Sequence, residues 1–264
     1  MIVSYHNHTR WSDGTCSVQD QIAAAREAGL VELGISDHYV IAPAGLEVEW
    51  TMPLDRLGEY VAEMRDAADS TKGLTFRVGL EADYFPETVD RLRETLAGHP
   101  FDYVIGSVHY VDEFPLDESA KLWQALSSDE VHSKWSLYWT RIREMAESRV
   151  FDFAAHLDLP KKFGFRPSAD LTKESNAALD AIAAADMAIE INTAGWSLPA
   201  KEAYPSLALL QSARARNIPL LINADAHTPK ILVRGFERAR ELAREAGYTE
   251  LTRYEKRQPF PIPL

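Results

Sequence analysis

The sequence predicts an α/β protein whose parallel strands form a closed or nearly closed barrel, on three observations. Short apolar, β-branched-rich runs alternate with helical patterns seven times along the chain. Residues able to do chemistry stand at the C-terminal end of most of those runs. The 264 residues, 46% of them hydrophobic, carry no composition shift, Gly/Ser-rich linker or internal repeat. That describes one domain over residues 1–264, since barrels of about 200–250 residues routinely form single domains.

The expected strands are Ile2–His6, Glu32–Ser36, Thr75–Ala82, Tyr103–Ser107, Phe151–Ala155, Ala188–Asn192 and Pro219–Asn223. A first helix is capped at or near Ser17, with Ile22, Ala25 and Ala28 facing inward. Further helices are expected over Leu54–Ala68, Val89–Leu96, Asp129–Ser148, Thr172–Ala185, Tyr204–Arg216 and Val233–Ala246. Thr172 reads as a cap, and Pro205 suits a first helical turn. Alternating strands and helices give βα units and a parallel sheet. A doubly wound open sheet is the alternative, but it gathers its ligand site at one switch point. Sites at nearly every strand end favour the barrel, whose chemistry sits at the C-terminal face.

Bulk properties narrow the function. Net charge is −12, from 40 acidic and 28 basic residues, with no Lys/Arg block. A protein that binds long nucleic acids carries a basic patch against phosphates, so no nucleic-acid partner is expected. No apolar run approaches the ~18 residues of a membrane span, and Met1–Tyr5 shows no secretory signal. Cys16 is the only cysteine, which fits a reducing cytoplasm.

Six of the eight histidines fall in strand-end motifs: His6-Asn7-His8, Ser36-Asp37-His38, Ser107-Val108-His109, Ala155-His156-Leu157-Asp158 and Asp225-Ala226-His227. Imidazole and carboxylate together are what Zn, Mn and Fe sites are built from. The i, i+2 spacing of His6 and His8, repeated by Asp225 and His227, puts both side chains on one strand face. Glu81 ends the buried run Val78-Gly79-Leu80, where a carboxylate is costly unless paired or bound to a cation. A salt bridge to Arg77 or Arg91 is the competing explanation. Asp83 shares the face of Glu81 and reads as a supporting residue, and Asp13 lies in the loop after the first strand. His99 in a turn and His132 on a polar helix face have no metal partners in sequence. Cys16 has no paired base and reads as an inert buried thiol. No Gly-x-Ser-x-Gly elbow or phosphate-cradling glycine loop is present.

Five stretches carry a family resemblance: Gly79-Leu80-Glu81-Ala82-Asp83-Tyr84, Phe101 to Tyr110, His156 to Gly164, Asn192-Thr193-Ala194-Gly195, and Asp225-Ala226-His227. With these the chain resembles the polymerase-and-histidinol-phosphatase (PHP) superfamily, and within it the branch of histidinol-phosphate phosphatases. The resemblance implies a distorted (β/α)7 TIM-like barrel and a site for three divalent metal ions. It implies one ion on His6, His8, Glu81 and Asp225, and a second on Glu81, His109 and His156, with Glu81 bridging. It implies a third on Asp13, His38 and His227, where many relatives have His in place of Asp13.

The implied reaction is hydrolysis of a small phosphorylated substrate, L-histidinol phosphate first, with Asp225, His227 and Glu81 in the catalytic roles. Ser197 stands where relatives of the phosphatase branch carry a basic residue that meets the phosphate. Lys161, Lys162, Arg166, Lys201 and Asn192 are the candidates to bind substrate in its stead. The loop Tyr39–Met52 reads as a lid or as an ordinary surface loop. Other readings are a phosphoesterase for a sugar or nucleotide monophosphate, and a metal-binding domain without turnover. The sequence leaves the oligomeric state open.

Overall fold

A computed structural model describes residues 1–264. The elements run in the order β1 (Val3–Ser4), α1 (Val18–Glu27), β2 (Glu32–Ile35), β3 (His38–Tyr39), α2 (Leu57–Ser70), β4 (Thr75–Val78), β5 (Glu81–Asp83) and α3 (Val89–Ala97). Then come β6 (Ile105–Ser107), β7 (Tyr110–Val111), β8 (Phe114–Pro115), α4 (Ala120–Gln124), α5 (Ser128–Glu147), β9 (Phe153–Ala154), α6 (Thr172–Ala184) and β10 (Ala188–Asn192). The chain ends with α7 (Leu207–Ala215), β11 (Leu220–Asn223), α8 (Phe236–Glu245), β12 (Glu250–Glu255) and β13 (Gln258–Pro263).

All seven expected strand positions are occupied and pair in parallel. The pairing forms two sheets, β1-β2-β4 and β11-β10-β9-β6-β5-β3. The expected strand Thr75–Ala82 is broken at Gly79-Leu80, and the one over Glu32–Ser36 resumes past a break at Ser36-Asp37 as β3. The ladder crosses both breaks, since the Gly79 amide still donates to the Ile35 carbonyl (2.8 Å) and that of Glu81 to Asp37 (3.2 Å). A parallel bridge between Asn7 and Ala226 sets the first strand position against the last.

The space beneath the strand ends is filled. Tyr103 lies inside with its hydroxyl donating to the Tyr5 carbonyl at 2.5 Å. Its ring occupies the places where side chains on Gly34 and Gly79 would begin, about 2 Å from an added Cβ. The interior is thus a packed core, as barrel interiors are, with the histidine motifs at the strand ends above it.

Most helices fall where their patterns place them. Ser17 caps α1 with a reciprocal Ser17–Asp20 box. Two starts differ. Thr172 is the first helical residue rather than the cap, and the Asp170 carboxylate receives its amide (3.0 Å) and hydroxyl (2.6 Å). The helix expected from Tyr204 begins at Leu207. Pro205 disfavours helical geometry at the residue before it, and Tyr204 is extended, pairing both ways with the Asn192 backbone (2.7 and 3.0 Å).

The antiparallel hairpin β12–β13 is absent from the sequence reading because Pro259, Pro261 and Pro263 argue against a strand. They alternate, so the missing N–H groups all fall on one side of β13, away from the ladder. The hairpin covers the N-terminal end of the strands: Tyr254 donates to the Asp152 carbonyl (2.8 Å), and the Arg257 amide donates to that of Asp102 (2.8 Å).

Candidate metal centre

Glu81 begins β5 and is fully buried. Its two oxygens face two different groups of imidazoles. Oε2 lies 2.9 Å from His6 Nε2, 3.5 Å from His8 Nε2 and 3.0 Å from His38 Nδ1. Oε1 lies 3.3 Å from His156 Nε2 and 3.9 Å from His109 Nε2. The alternative of a salt bridge to arginine does not hold: Arg77 pairs with Glu32 and Glu255 instead. Asp225 approaches His8 Nε2 at 3.2 Å and His6 Nε2 at 3.6 Å. Asp13 approaches His227 Nε2 at 3.1 Å and His38 Nε2 at 3.8 Å. All nine residues singled out as metal ligands therefore meet in one place.

The donor set fits divalent cations. His8 Nε2 and His38 Nδ1 are buried and lie close to carboxylate oxygens, yet neither makes a hydrogen bond. Nitrogen and oxygen atoms that converge without aligning on each other can share an ion between them. Ligand atoms lie within 4.8 Å of one another in three groups: His6-His8-Glu81, His38-Glu81-His109 and His8-Asp13-His38-His227. Burial raises the Glu81 carboxyl, but the His6 and His38 imidazoles outweigh it and hold it well below the usual carboxylate range. Burial pushes His38 well below its ordinary value, which leaves the ring neutral and able to donate a lone pair.

Buried carboxylates hold the ligands from behind. Asp83 accepts from His109 Nδ1 at 2.8 Å and from the Ser107 hydroxyl at 2.9 Å, as expected of a supporting residue. Asp37 receives the Thr9 amide (2.7 Å) and hydroxyl (2.8 Å) and the Ser12 hydroxyl (2.7 Å), so it fixes the loop that carries Asp13. Glu190 accepts from His6 Nδ1, 3.1 Å from each oxygen. The sequence reading missed Glu190, although the signal used for Glu81 was there: a carboxylate inside the apolar run Ala188-Ile189-Glu190-Ile191. His156 and Asp225 have left-handed backbones, φ 25° and 55°, the kind of local strain that collects at functional sites.

A cavity of about 720 Å³ opens over this cluster. Asp13, His38, His109, His156, Asp225 and His227 form its floor. Its walls include Glu47, Glu49 and Trp50 from the Tyr39–Met52 loop, Asp117, Glu118 and Lys162, with Tyr110, Leu159, Ala194, Leu198 and Tyr204. The Trp50 ring packs edge-on against His38 (4.6 Å) and His109 (5.1 Å).

Of the residues expected to bind substrate, Lys162 alone lines the cavity, with its ammonium 3.0 Å from Asp117. Lys161 is fully buried and paired with Asp158 (2.9 Å) and Glu202 (3.2 Å). Arg166 pairs with Glu202 (3.0 Å), and Lys201 is exposed outside the cavity. Asn192 is buried and donates to Glu190 (3.0 Å) and Asp225 (3.1 Å), so it orients a ligand rather than facing substrate. Ser197 is exposed and outside the lining. His99, His132 and Cys16 lie outside it too, and burial pushes the Cys16 thiol up to about 11.

A parallel α/β fold with imidazoles and carboxylates gathered at its strand ends is that of a metal-dependent hydrolase. The PHP domain model matches residues 4–194, and the chain belongs to the PHP domain family. A Deinococcus radiodurans protein named probable histidinol-phosphatase is 35% identical over 257 residues, covering 96% of this chain and 97% of that one. The histidinol-phosphatase of Lactococcus lactis is 22% identical over 96% of this chain and 94% of that one. In structure, the Lactococcus lactis histidinol phosphate phosphatase, complexed with zinc, L-histidinol and phosphate, superposes with a TM-score of 0.80 at 19% identity, covering 98% of both chains. A putative histidinol phosphatase from Listeria monocytogenes gives 0.77 at 19% identity, over 90% of this chain and 99% of that one.

Proposed function

We propose that this chain hydrolyses a small phosphomonoester, L-histidinol phosphate, to L-histidinol and phosphate. The observation that carries the reading is Glu81, whose two oxygens face separate groups of histidines at the floor of a cavity of about 720 Å³. That volume falls in the range of about 300–1,000 Å³ usual for small-molecule sites. The Deinococcus relative's name and the ligands of the Lactococcus structure support the same substrate.

Three divalent cations would be held, by His6, His8, Glu81 and Asp225, by Glu81, His109 and His156, and by Asp13, His38 and His227. Zn, Mn and Fe all suit imidazole with carboxylate. Such ions supply Lewis acidity toward a phosphoryl group and acidify water.

The chain's own side chains do the rest. Asp225 has one oxygen tied to the Asn192 amide and its other near His6 and His8, so it faces the cavity in a fixed orientation. It is the carboxylate placed to accept a proton from the attacking water. Lys162 offers the cavity's one ammonium to a phosphoryl oxygen. Glu47, Glu49, Asp117 and Glu118 give the outer wall negative charge. That wall favours a substrate whose far end is cationic, as the amine of histidinol is, over a nucleotide or sugar phosphate.

The test is phosphate release by zinc- or manganese-loaded protein from L-histidinol phosphate, glucose 6-phosphate and AMP at equal concentration. The expected result is a kcat/KM for L-histidinol phosphate at least about tenfold above the others, a difference of about 1.4 kcal/mol in transition-state binding. Equal rates on all three would move the substrate elsewhere. No release from any would overturn the hydrolase reading.

A further inference from the structure

Glu190 is fully buried in the middle of β10, and four groups from three other places in the chain or from its own strand end converge on it. Oε1 accepts from the His156 amide (3.0 Å) and the Asn192 side-chain amide (3.0 Å). Oε2 accepts from the Asn223 side-chain amide (2.8 Å). Both oxygens lie 3.1 Å from His6 Nδ1. No lysine or arginine pairs with this carboxylate. Its acceptor sites are filled by donors that belong to, or directly hold, the metal-facing residues.

The four donors reach three ligands. His6 is held by its ring. His156 is held by its backbone at the point where φ is 25°, a conformation that needs outside support. Asp225 is held through Asn192, whose amide spans both carboxylates at 3.0 and 3.1 Å. Asn223 passes the order back to the first strand, its carbonyl oxygen accepting the Tyr5 amide at 2.8 Å, one residue before His6. Both ring nitrogens of His6 face carboxylates, which only accept: Nδ1 faces Glu190 at 3.1 Å, and Nε2 faces Glu81 at 2.9 Å and Asp225 at 3.6 Å. Glu190 thus holds a proton on Nδ1, and a cation held between Nε2 and Glu81 would take the place of the Nε2 proton.

We propose that Glu190 is the positioning residue that fixes His6, His156 and Asp225 together and sets the His6 tautomer for cation binding. The inference rests on the reading of those three residues as metal ligands. Groups that orient ligand histidines in this way change metal affinity about 10–100-fold when altered.

The experiment pairs zinc titration of metal-stripped protein with ¹⁵N NMR of ring-labelled histidines, on the wild type and on Glu190→Gln. The glutamine keeps the shape but can turn an N–H toward Nδ1, which moves the ring proton to Nε2. In the wild type, His6 should carry its proton on Nδ1, assigned by its loss in His6→Asn. In Glu190→Gln the proton should move, and the tightest zinc site should weaken about 10–100-fold while the far-UV spectrum is kept. A wild-type His6 that carries no proton on Nδ1 overturns the proposal even if the variant does not fold. So does a Gln variant whose zinc affinity stays within about twofold of the wild type, below the range for such partners. A wild type that binds no zinc tightly fails differently: it removes the metal reading beneath the proposal.

Discussion

The two ends of the strand array bury carboxylates in opposite ways. At the N-terminal end each has a guanidinium. Glu32 pairs with Arg77 at 2.5 Å and Arg253 at 3.4 Å, Asp102 with Arg65 at 3.1 Å, and Asp152 with Arg257 at 2.5 Å. At the C-terminal end, the buried Asp37, Glu81, Asp83 and Glu190 and the more open Asp13 and Asp225 meet imidazoles, amides and hydroxyls, and no Lys or Arg nitrogen comes within 4 Å of them, whereas Asp158, outside the metal-facing cluster, pairs with Lys161. An ionised carboxylate in a buried place needs a compensating positive charge. One end carries that charge in its own covalent structure. The other is built to take it from bound cations, and that is the physical difference between a structural end and a reactive one.

Substituting one residue at each end and one in the wall of the cavity should separate these roles. The largest effect belongs to Glu81→Ala. Since its oxygens serve two groups of histidines, the variant should lose more than one equivalent of bound metal, counted by plasma mass spectrometry. Its kcat/KM should fall at least about a thousandfold, because cation stabilisation of the transition state amounts to several kcal/mol. Full metal content in that variant would break the comparison at its centre.

Arg77→Met at the opposite end should do the reverse. It leaves the buried Glu32 carboxylate with Tyr5 (2.7 Å) and the more distant Arg253. A cost of about 3 kcal/mol in urea unfolding is expected for breaking such a pair, with metal content and kcat kept. A loss of metal there would show that the two ends are not independent.

The smallest effect is that of Lys162→Ala. This side chain is partly exposed and already paired with Asp117, so losing one charged contact should raise KM for the phosphomonoester by about three- to tenfold, less than the ~1.5–3 kcal/mol of a fully buried charged hydrogen bond. A fall in KM would show that Lys162 opposes binding.

The strand-end motifs made the floor of the site legible. A histidine just past an apolar strand has few places to point, and a carboxylate such as Glu81 inside an apolar run must have a partner. The same rule applied to Glu190 would have found it, but Glu190 belongs to no histidine motif and so drew no attention. The substrate wall was harder to read. Lys161 and Lys162 are neighbours in sequence, yet one is sealed against Asp158 and Glu202 while the other lines the cavity. Nothing local separates them, because the difference arises from the turn of the short helix Leu159–Phe163 and from what packs on it. The hairpin β12–β13 was hidden by its prolines, which only their alternating register makes tolerable.

The sequence by itself determined the seven strand positions, the helical partners between most of them, and the chemical kind of the site. These follow from local periodicity and from the cost of burying charge, both of which can be read within a few residues. The tertiary structure decided which oxygen of Glu81 faces which histidines, that Glu190 binds three ligands together, and which basic residue reaches the cavity. Those depend on side chains distant in sequence meeting at about 3 Å, as His6 does with Glu81, 75 residues away (2.9 Å), and with Glu190, 184 residues away (3.1 Å). Spacing along the chain does not encode such distances; the closing of strands against one another does.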